Sequence, residues 1–291
     1  MNALIMESER GETMSNLVSM AYVNEQLSEG TLVLMDCRFI LGQPDAGREA
    51  FEAGHLPGAV YMDLEKDLSG PLSEHGGRHP LPDFGTLTLK LRESGVDGNM
   101  HVVVYDDQGG GMASRLWWLL HLLGHPKVSL MEEGYSAWAA AGYAVSTEAV
   151  KPVLRHFQPV VQRDRLISME EVKSKISSDS TVIIDAREPK RYLGIEEPID
   201  LKAGHIPSAI NRFWKDALDE QGKWKDARGQ LERFADLSAE KEIVVYCGSG
   251  VTACPNLLAL SEAGYDNIRL YSGSWSDWIS YSENPIATGE E

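Results

Sequence analysis

The feature that most constrains the fold of this chain is an internal repeat with a period of about 140 to 150 residues. Each half contains the same motifs in the same order. They are a buried strand ending in Asp-x-Arg, a Gly-His-[Leu/Ile]-Pro turn, a strand that enters a Gly-rich loop, and a late Ser-x-Trp pattern. The matched positions are Arg38 and Arg187, His55 and His205, Asp106 and Cys247, and Trp138 and Trp278. Ordered matches with slowly changing spacing indicate a duplicated domain.

Short β-branched runs alternate with helical patterns in both halves. This alternation predicts an α/β fold in which each half forms a mostly parallel sheet flanked by helices. We expect two tandem domains, residues 16–146 and 164–291, joined by a proline-containing linker. Residues 1–15 are predicted to form a polar extension. Because ligands of such sheets bind beyond the carboxyl ends of the strands, a functional site is expected there.

The strongest site signal lies where the apolar strand Ile243–Tyr246 ends at Cys247. The Gly-rich loop 248–253 follows, and a helix is predicted to begin near Pro255. Backbone N–H groups of such a loop converge ahead of a helix N-terminus and favour a negative charge. A thiol placed there is partly ionised, so Cys247 is the candidate nucleophile. The alternative is a buried structural cysteine, since free cysteine is among the most buried residue types.

Composition limits the partners and the compartment of the protein. The chain has 291 residues and a formal net charge of −17, with 43% hydrophobic and 24% charged residues, as in soluble globular proteins. The negative charge argues against nucleic acid and anionic membranes as partners. Cys37, Cys247 and Cys254 form neither a disulfide framework nor a zinc motif, which suits a reducing compartment. With no signal-peptide pattern or membrane-length apolar segment, we expect a cytoplasmic protein without a metal or cofactor.

Taken together, these motifs resemble the two-domain rhodanese-like sulfurtransferases, and the resemblance covers nearly the whole chain after about residue 16. The loop Cys-Gly-Ser-Gly-Val-Thr-Ala is similar to that of the 3-mercaptopyruvate sulfurtransferases. Thiosulfate-preferring relatives carry an Arg-Lys pair where this chain has Gly248 and Ser249. The family pattern places an inert domain first and a catalytic domain second. Asp106, at the position of the missing first cysteine, fits that pattern.

The resemblance implies transfer of sulfur from 3-mercaptopyruvate, a small anionic donor, to a thiol or cyanide acceptor through a persulfide on Cys247. A thioredoxin-like protein is a candidate acceptor. The loop residues expected to hold the donor and the persulfide are Gly248, Gly250, Val251, Thr252 and Ala253. Thiosulfate as the donor, and a persulfide carrier that does not turn over, are the alternatives.

Two arginines are candidates for binding the carboxylate of the donor. Arg187 follows a strand at the sheet edge where Cys247 is expected, and Arg191 could supply a second planar donor. The alternative for Arg187 is a structural ion pair, which the presence of Arg38 beside no nucleophile supports. Because the loop after Cys247 contains no lysine or arginine, we expect no nearby cation for a dianion, and hence a preference for 3-mercaptopyruvate.

In the mercaptopyruvate enzymes that the loop resembles, a serine at the position of Ser249 is linked to a histidine and an acid of the first domain. The matching positions here are His79, with Asp63 or Glu65. The resemblance therefore implies that Ser249, His79 and Asp63 act with Cys247 in catalysis. This chain reads His-Pro-Leu-Pro where His-Met-Leu-Pro is expected, and a loop histidine is more often solvated than catalytic.

Other residues that carry reactive groups are interpreted as structural. His55 and His205 occur before a proline in both halves, including the inert one, which indicates turn and packing roles. Cys254 is a candidate resolving thiol, but packing is the favoured interpretation. A cysteine-dependent phosphatase is excluded, because Ala253 stands where its phosphate-binding arginine is needed.

Overall fold

The computed structural model describes residues 15–290. Residues 1–14, which make up nearly all of the predicted polar extension, lie outside the described residues, as does the last residue of the second predicted domain. The described chain folds into two parallel sheets, one in each half, flanked by helices. This arrangement confirms the predicted α/β fold. Among residues 15–290, no helix is both long enough and apolar enough to cross a lipid bilayer.

The first half contains β1 (Leu17–Val18), α1 (Met20–Gln26), a 3₁₀ turn (Leu27–Glu29), β2 (Leu32–Asp36), α2 (Ala46–Ala53), β3 (Val60–Tyr61), α3 (Phe84–Glu93), β4 (His101–Tyr105), α4 (Ala113–Leu122), β5 (Val128–Met131) and α5 (Gly134–Ala140). Its strands lie in the order β1-β5-β4-β2-β3. The sequence predicts a single helix over 17–27, and this is wrong at its start. Leu17 pairs with Leu130 of β5, and Ser19 begins the helix by accepting a hydrogen bond from the N–H of Tyr22 at 3.2 Å.

The second half contains a 3₁₀ turn (Arg163–Arg165), α6 (Met169–Ser174), β6 (Thr181–Asp185), α7 (Pro189–Tyr192), β7 (Ala209–Asn211), a 3₁₀ turn (Trp214–Ala217), α8 (Ala227–Arg233), β8 (Glu242–Tyr246), α9 (Cys254–Glu262), β9 (Ile268–Leu270) and α10 (Ser274–Trp278). Its strands lie in the order β7-β6-β8-β9. The register repeats that of the first half, because Asp185 lies opposite Tyr246 as Asp36 lies opposite Tyr105. The duplication inferred from the sequence is therefore also a structural one.

The two halves share one hydrophobic core, which α4 and α9 join by packing against each other. Every residue of α4 except His121 is buried, and so is the segment of α9 from Cys254 to Leu260. Helices buried on every side are typical of the interior of a protein. One continuous cluster of buried side chains, including Leu119 and Leu257, extends across both halves. The relative position of the halves is therefore set by core packing.

A fragment of residues 146–290 should self-associate, because removing the first half exposes the apolar face of α9 that α4 covers. Sedimentation velocity and binding of a hydrophobic dye measure this effect, with the full-length chain as the control. A monomeric fragment with a cooperative unfolding transition would show that the second half does not need the interface.

Candidate active site

Cys247 lies directly after β8, at the carboxyl edge of the second sheet. Asp185, at the end of β6, lies opposite Tyr246, the residue before Cys247. Arg187, two residues after Asp185, therefore emerges at the same edge of the sheet. The backbone N–H of Cys247 donates to Ser274 Oγ at 3.1 Å, and its carbonyl accepts from the N–H of Trp275 at 2.9 Å. The start of α10 thus fixes the backbone of the candidate nucleophile. The Cys247 side chain is buried, and only 1% of the residue is exposed.

The loop Gly248–Ala253, here called the anion cradle, presents a row of backbone N–H groups. None of these N–H groups donates a hydrogen bond to another residue of the described chain. Gly250 has a φ of +76°, and a Cβ on it would lie 2.2 Å from the carbonyl oxygen of Ser272. The turn therefore requires glycine at this position. A run of N–H groups without protein acceptors, ahead of a helix, favours an anion.

The matching loop of the first half surrounds a carboxylate. Asp106, at the position that corresponds to Cys247, is buried. It accepts hydrogen bonds of 2.8–2.9 Å from four backbone N–H groups, those of Gln108, Gly110, Met112 and Ala113. Burial raises the pKa of the Asp106 carboxyl, and these hydrogen bonds oppose that shift. In the first half, the matching loop therefore directs its backbone N–H groups at a carboxyl group.

His79 of the first half reaches the anion cradle of the second half. Its Nδ1 lies 2.8 Å from Ser249 Oγ, and both residues are buried. Burial, together with the positive charges of Arg115 and Arg78, lowers the pKa of His79 to about 4. The imidazole is therefore neutral at neutral pH, with one nitrogen protonated and the other free to accept. The general expectation that a loop histidine is solvated is wrong for this residue.

Residues 75–79, here called the strap, hold that histidine in place. The N–H of Gly76 donates to the Asp277 carboxylate at 2.7 Å, which ties the strap to α10. Gly77 has a φ of +77°, and a Cβ on it would lie 2.4 Å from the carbonyl oxygen of Gly273. The strap therefore lies directly against the segment that also fixes the backbone of the nucleophile.

Arg78, which precedes His79, was not predicted as a site residue. A Cβ on Gly248 would lie 2.9 Å from Arg78 Nη2 and 3.5 Å from Arg191 Nη2. Both guanidinium groups donate to the buried carboxylate of Asp200. The expectation that no cation lies near the loop for a dianion is therefore wrong. The tertiary fold brings Arg191, which the sequence predicts at the site, and Arg78, which it does not, to Gly248.

Arg187 is held by acceptors of its own half. It donates to the carboxylate of Asp185 at 2.7 Å, to Glu197 at 3.2 Å and to the carbonyl of Gly204 at 2.6 Å. Arg38 makes the equivalent carboxylate and carbonyl contacts in the first half. The structural ion pair, considered as the alternative, is thus present. A contact between Arg187 and a donor stays a prediction.

Asp63 is fully buried, but the structure does not connect it to His79. Its Oδ1 accepts from the backbone N–H groups of Glu65 and Lys66, each at 3.0 Å. Its Oδ2 has no hydrogen-bond partner within the described chain. Glu65, the other candidate acid, is exposed. A catalytic role for Asp63 stays a prediction.

The residues interpreted as structural have packing partners. Cys254 is fully buried, and burial raises the pKa of its thiol to about 12. The Nδ1 atoms of His55 and His205 lie 2.8 Å from the carbonyl oxygens of Phe51 and Tyr192, respectively. A thiol that resists ionisation is a poor nucleophile, so packing accounts for Cys254 better than redox chemistry does.

Arg115 of α4, which was also not predicted, joins the two sides of the site. It is fully buried, and its guanidinium donates to the carbonyls of Gly250 at 2.9 Å and of His79 at 3.3 Å. Within the described chain it forms no ion pair with a carboxylate. Nothing in the sequence pattern of α4 indicates this role, because the contacts cross between the halves.

A cavity of about 350 Å³ lies between the halves beside the anion cradle. Its wall includes His79 and Met112 from the first half, and Arg191, Ser249 and Thr252 from the second. This volume is at the lower end of the range for small-ligand sites. The arrangement can therefore bind a small anion next to a cysteine, a serine–histidine pair and two arginines.

Comparison with known proteins extends this result. The rhodanese-like domain family matches residues 19–141 and again 168–281. A Pseudomonas aeruginosa protein named "Probable 3-mercaptopyruvate sulfurtransferase" is 41% identical over 95% of this chain and 99% of its own. The thiosulfate sulfurtransferase of Gallus gallus is 29% identical over 90% of this chain and 93% of its own.

A solved structure of a similar protein has the same fold. The crystal structure of an Escherichia coli protein described as a 3-mercaptopyruvate sulfotransferase superposes with a TM-score of 0.80 and 31% identity. The superposition covers 90% of this chain and all of that one. The two family matches and the two parallel sheets coincide with the two halves of the repeat. The chain therefore belongs to the rhodanese-like family and carries two copies of its domain.

Proposed function

We propose that this protein is a sulfurtransferase that moves a sulfur atom from 3-mercaptopyruvate to a thiol or cyanide acceptor through a persulfide on Cys247. The observation that carries the proposal is the anion cradle, whose N–H groups have no acceptor in the described chain. In the inert half, the Asp106 carboxylate accepts hydrogen bonds from the matching loop. A thiolate or persulfide anion on Cys247 supplies the equivalent negative charge.

The reaction proceeds in two transfers. The Cys247 thiolate attacks the sulfur of 3-mercaptopyruvate, an S–S bond forms, and the C–S bond breaks. The electron pair of the broken bond leaves with the carbon as the enolate of pyruvate, which then takes up one proton. An acceptor thiolate or cyanide attacks the outer sulfur, and the electron pair of the S–S bond returns to Cys247 as the thiolate.

Ser249 and His79 act on the carbonyl oxygen of the donor. In the tautomer with the proton on Nδ1, His79 donates to Ser249 Oγ, which leaves the hydroxyl hydrogen for the developing enolate oxygen. Because the pKa of His79 is lowered to about 4, the pair stays uncharged at neutral pH and adds no charge next to the thiolate. A hydrogen bond to the enolate strengthens as charge develops, so it lowers the barrier.

The donor is held by charge and by backbone N–H groups. Its carboxylate is bound by Arg191 and Arg78, with Arg187 behind them at the same sheet edge. The N–H groups of the anion cradle hold the transferred sulfur. The name of the Pseudomonas aeruginosa relative supports 3-mercaptopyruvate as the donor.

Thiosulfate is the second candidate donor, and a specific observation favours it. Arg78 and Arg191 lie beside Gly248, so the site does contain cations that an anion of higher charge could use. The Gallus gallus relative carries the name of that activity. A persulfide carrier without turnover would need only Cys247 and the anion cradle, and a turnover assay with small donors and acceptors separates it from an enzyme.

The acceptor thiol belongs to a small molecule or to a thioredoxin-like protein, and the location is the cytoplasm. Cys37, Cys247 and Cys254 are all free in the structure, and the chemistry requires Cys247 to remain so. A reducing compartment keeps that thiol available between turnovers.

Replacing Cys247 by serine should abolish sulfur transfer, because a hydroxyl cannot form a persulfide. Cys254→Ser and Cys37→Ser are the controls, and each should retain most of the activity, since both side chains are buried as packing residues. Intact-mass measurement after donor treatment should show one added sulfur atom on the wild type and on both controls. A persulfide on the Cys247 variant would overturn the assignment.

Gly77→Ala should lower kcat by about 100-fold, the lower end of the range for lost acid–base assistance, because its Cβ would push the strap and His79 away from α10. Gly76→Ala is the matched control, since Gly76 also has positive φ but its Cβ would meet nothing closer than 3.8 Å. Both variants carry similar backbone strain of about 1 kcal/mol. Steady-state kinetics and melting temperatures compare them. Equal losses of kcat would contradict a role for the placement of His79.

The value of kcat/KM should be higher for 3-mercaptopyruvate than for thiosulfate by a factor of tens. This factor corresponds to about 1.5–3 kcal/mol of additional stabilisation by contacts with Ser249 and the arginines. Parallel assays with both donors and one acceptor measure the ratio. If the wild-type protein prefers thiosulfate, the alternative donor replaces the first.

A further inference from the structure

The carboxylate of Asp200 lies between two arginines that come from different halves of the chain. Its Oδ1 accepts from Arg78 Nε at 3.0 Å, and its Oδ2 accepts from Arg191 Nη2 at 2.8 Å and from Arg78 Nη2 at 3.2 Å. Only 3% of the Asp200 side chain is exposed, against 30% for Arg78 and 14% for Arg191. The carboxylate is therefore sheltered, and the two arginines extend from it toward solvent.

This cluster lies next to the nucleophile. A Cβ on Gly248, the residue after Cys247, would lie 3.6 Å from Asp200 Oδ2, at nearly the same distance as from Arg191 Nη2. An anion bound beside Gly248 therefore interacts with the negative charge of Asp200 as well as with the positive charges of Arg78 and Arg191. Because Asp200 is sheltered from water, salt screens its charge less than it screens an exposed one.

The cluster is balanced in formal charge. Three guanidinium groups, those of Arg78, Arg187 and Arg191, are paired with three carboxylates, those of Asp185, Glu197 and Asp200. The Nη1 atoms of Arg78 and Arg191 donate to no other residue of the described chain. The cluster can thus offer hydrogen bonds to a carboxylate while contributing little net positive charge.

We propose that Asp200 sets the charge preference of the donor site: by neutralising Arg78 and Arg191, it favours a donor with one negative charge over a donor with two. The inference rests on the function proposed above, because it concerns the donor of that same site. The Coulomb energy of an anion in the field of Asp200 is proportional to the charge of that anion. The unfavourable effect of Asp200 is therefore twice as large, in free energy, for thiosulfate as for 3-mercaptopyruvate.

Asp200→Asn tests this directly, since it removes one negative charge and keeps the shape of the side chain. If KM for 3-mercaptopyruvate falls about threefold, KM for thiosulfate should fall by the square of that factor, about tenfold. The value of kcat for each donor should change much less, because Asp200 contacts neither Ser249 nor His79. If Asp200 only braces the two arginines, the loosened site would instead raise both KM values and leave their ratio unchanged, which would overturn the inference.

Glu196→Gln is the matched control. Glu196 lies four positions before Asp200, pairs with Lys190 at the surface, and has 57% of its side chain exposed. The substitution makes the same change in net charge on a protein with a formal charge of −17. The donor ratio should stay at the wild-type value. A shift equal to that of Asp200→Asn would mean that only the overall charge matters, and would overturn the inference.

Arg78→Gln keeps the inference testable if the Asp200 variant does not fold. This substitution leaves the cluster with one excess negative charge, so KM should rise for both donors. The factor by which KM rises for thiosulfate should be the square of the factor for 3-mercaptopyruvate. An equal loss for the two donors would contradict the inference.

Failure of the proposed function can be told apart from failure of this inference. If the wild-type protein prefers thiosulfate, the ratio of the KM values for the two donors can still be compared between the wild type and Asp200→Asn. If neither donor is turned over, calorimetric titration of pyruvate and of sulfate into the wild type and Asp200→Asn compares a monoanion with a dianion without catalysis. Sulfate should gain more affinity than pyruvate, and equal gains would overturn the inference.

Discussion

A row of backbone N–H groups at the end of a strand needs a negative charge beside it, and much of this structure follows from that need. The N–H groups of the anion cradle have no acceptor within the described chain and lie beside a cavity of about 350 Å³, where a negatively charged group can accept from them. The first half supplies a carboxylate, Asp106. The second half has Cys247 at the matching position, where a sulfur anion can take the same place. The loop of the first copy thus binds the carboxylate of its own Asp106, whereas the matching loop of the second copy can bind a sulfur anion on Cys247.

The first half has Asp106 where the second half has Cys247, yet it supplies part of the candidate site. It supplies the strap that carries His79, and it supplies Arg115, which bonds to the carbonyls of both His79 and Gly250. These contacts require the halves to be aligned within a few tenths of an ångström, because hydrogen bonds weaken steeply with distance and angle. The continuous core formed by α4 and α9 provides that alignment. A candidate site built between two packed copies explains what the first copy contributes.

The electrostatics of the site are local. The formal charge of −17 would repel anions at long range, but salt screens it over about 8–10 Å, whereas the cradle and the arginines act at contact distance. Arg78 and Arg191 are both paired with the carboxylate of Asp200. His79 stays neutral because burial lowers its pKa to about 4. The charges that act on a bound anion are therefore those of this cluster and of the anion cradle, and not the net charge of the whole chain.

The sequence by itself determined the repeat, the parallel α/β halves and the position of Cys247 at a strand end ahead of a helix. These features depend on the periodicity of side chains and on glycines that are close in the chain, so a local pattern is enough to predict them. It also placed His79 near Ser249, though only through the resemblance to a family. The boundary between β1 and α1 was missed, since a two-residue strand is defined by its partner β5 and not by its own residues.

Only the tertiary structure decided which charged groups meet. Arg78 and Asp200 are far apart in the chain, yet they are hydrogen-bonded partners beside Gly248. Arg187 is enclosed by acceptors of its own half, and Asp63 is not connected to His79. The physical reason is that these contacts depend on how the halves pack through α4 and α9. That packing is set by the burial of whole helix faces, and no pattern of neighbouring residues specifies which side chains it brings together.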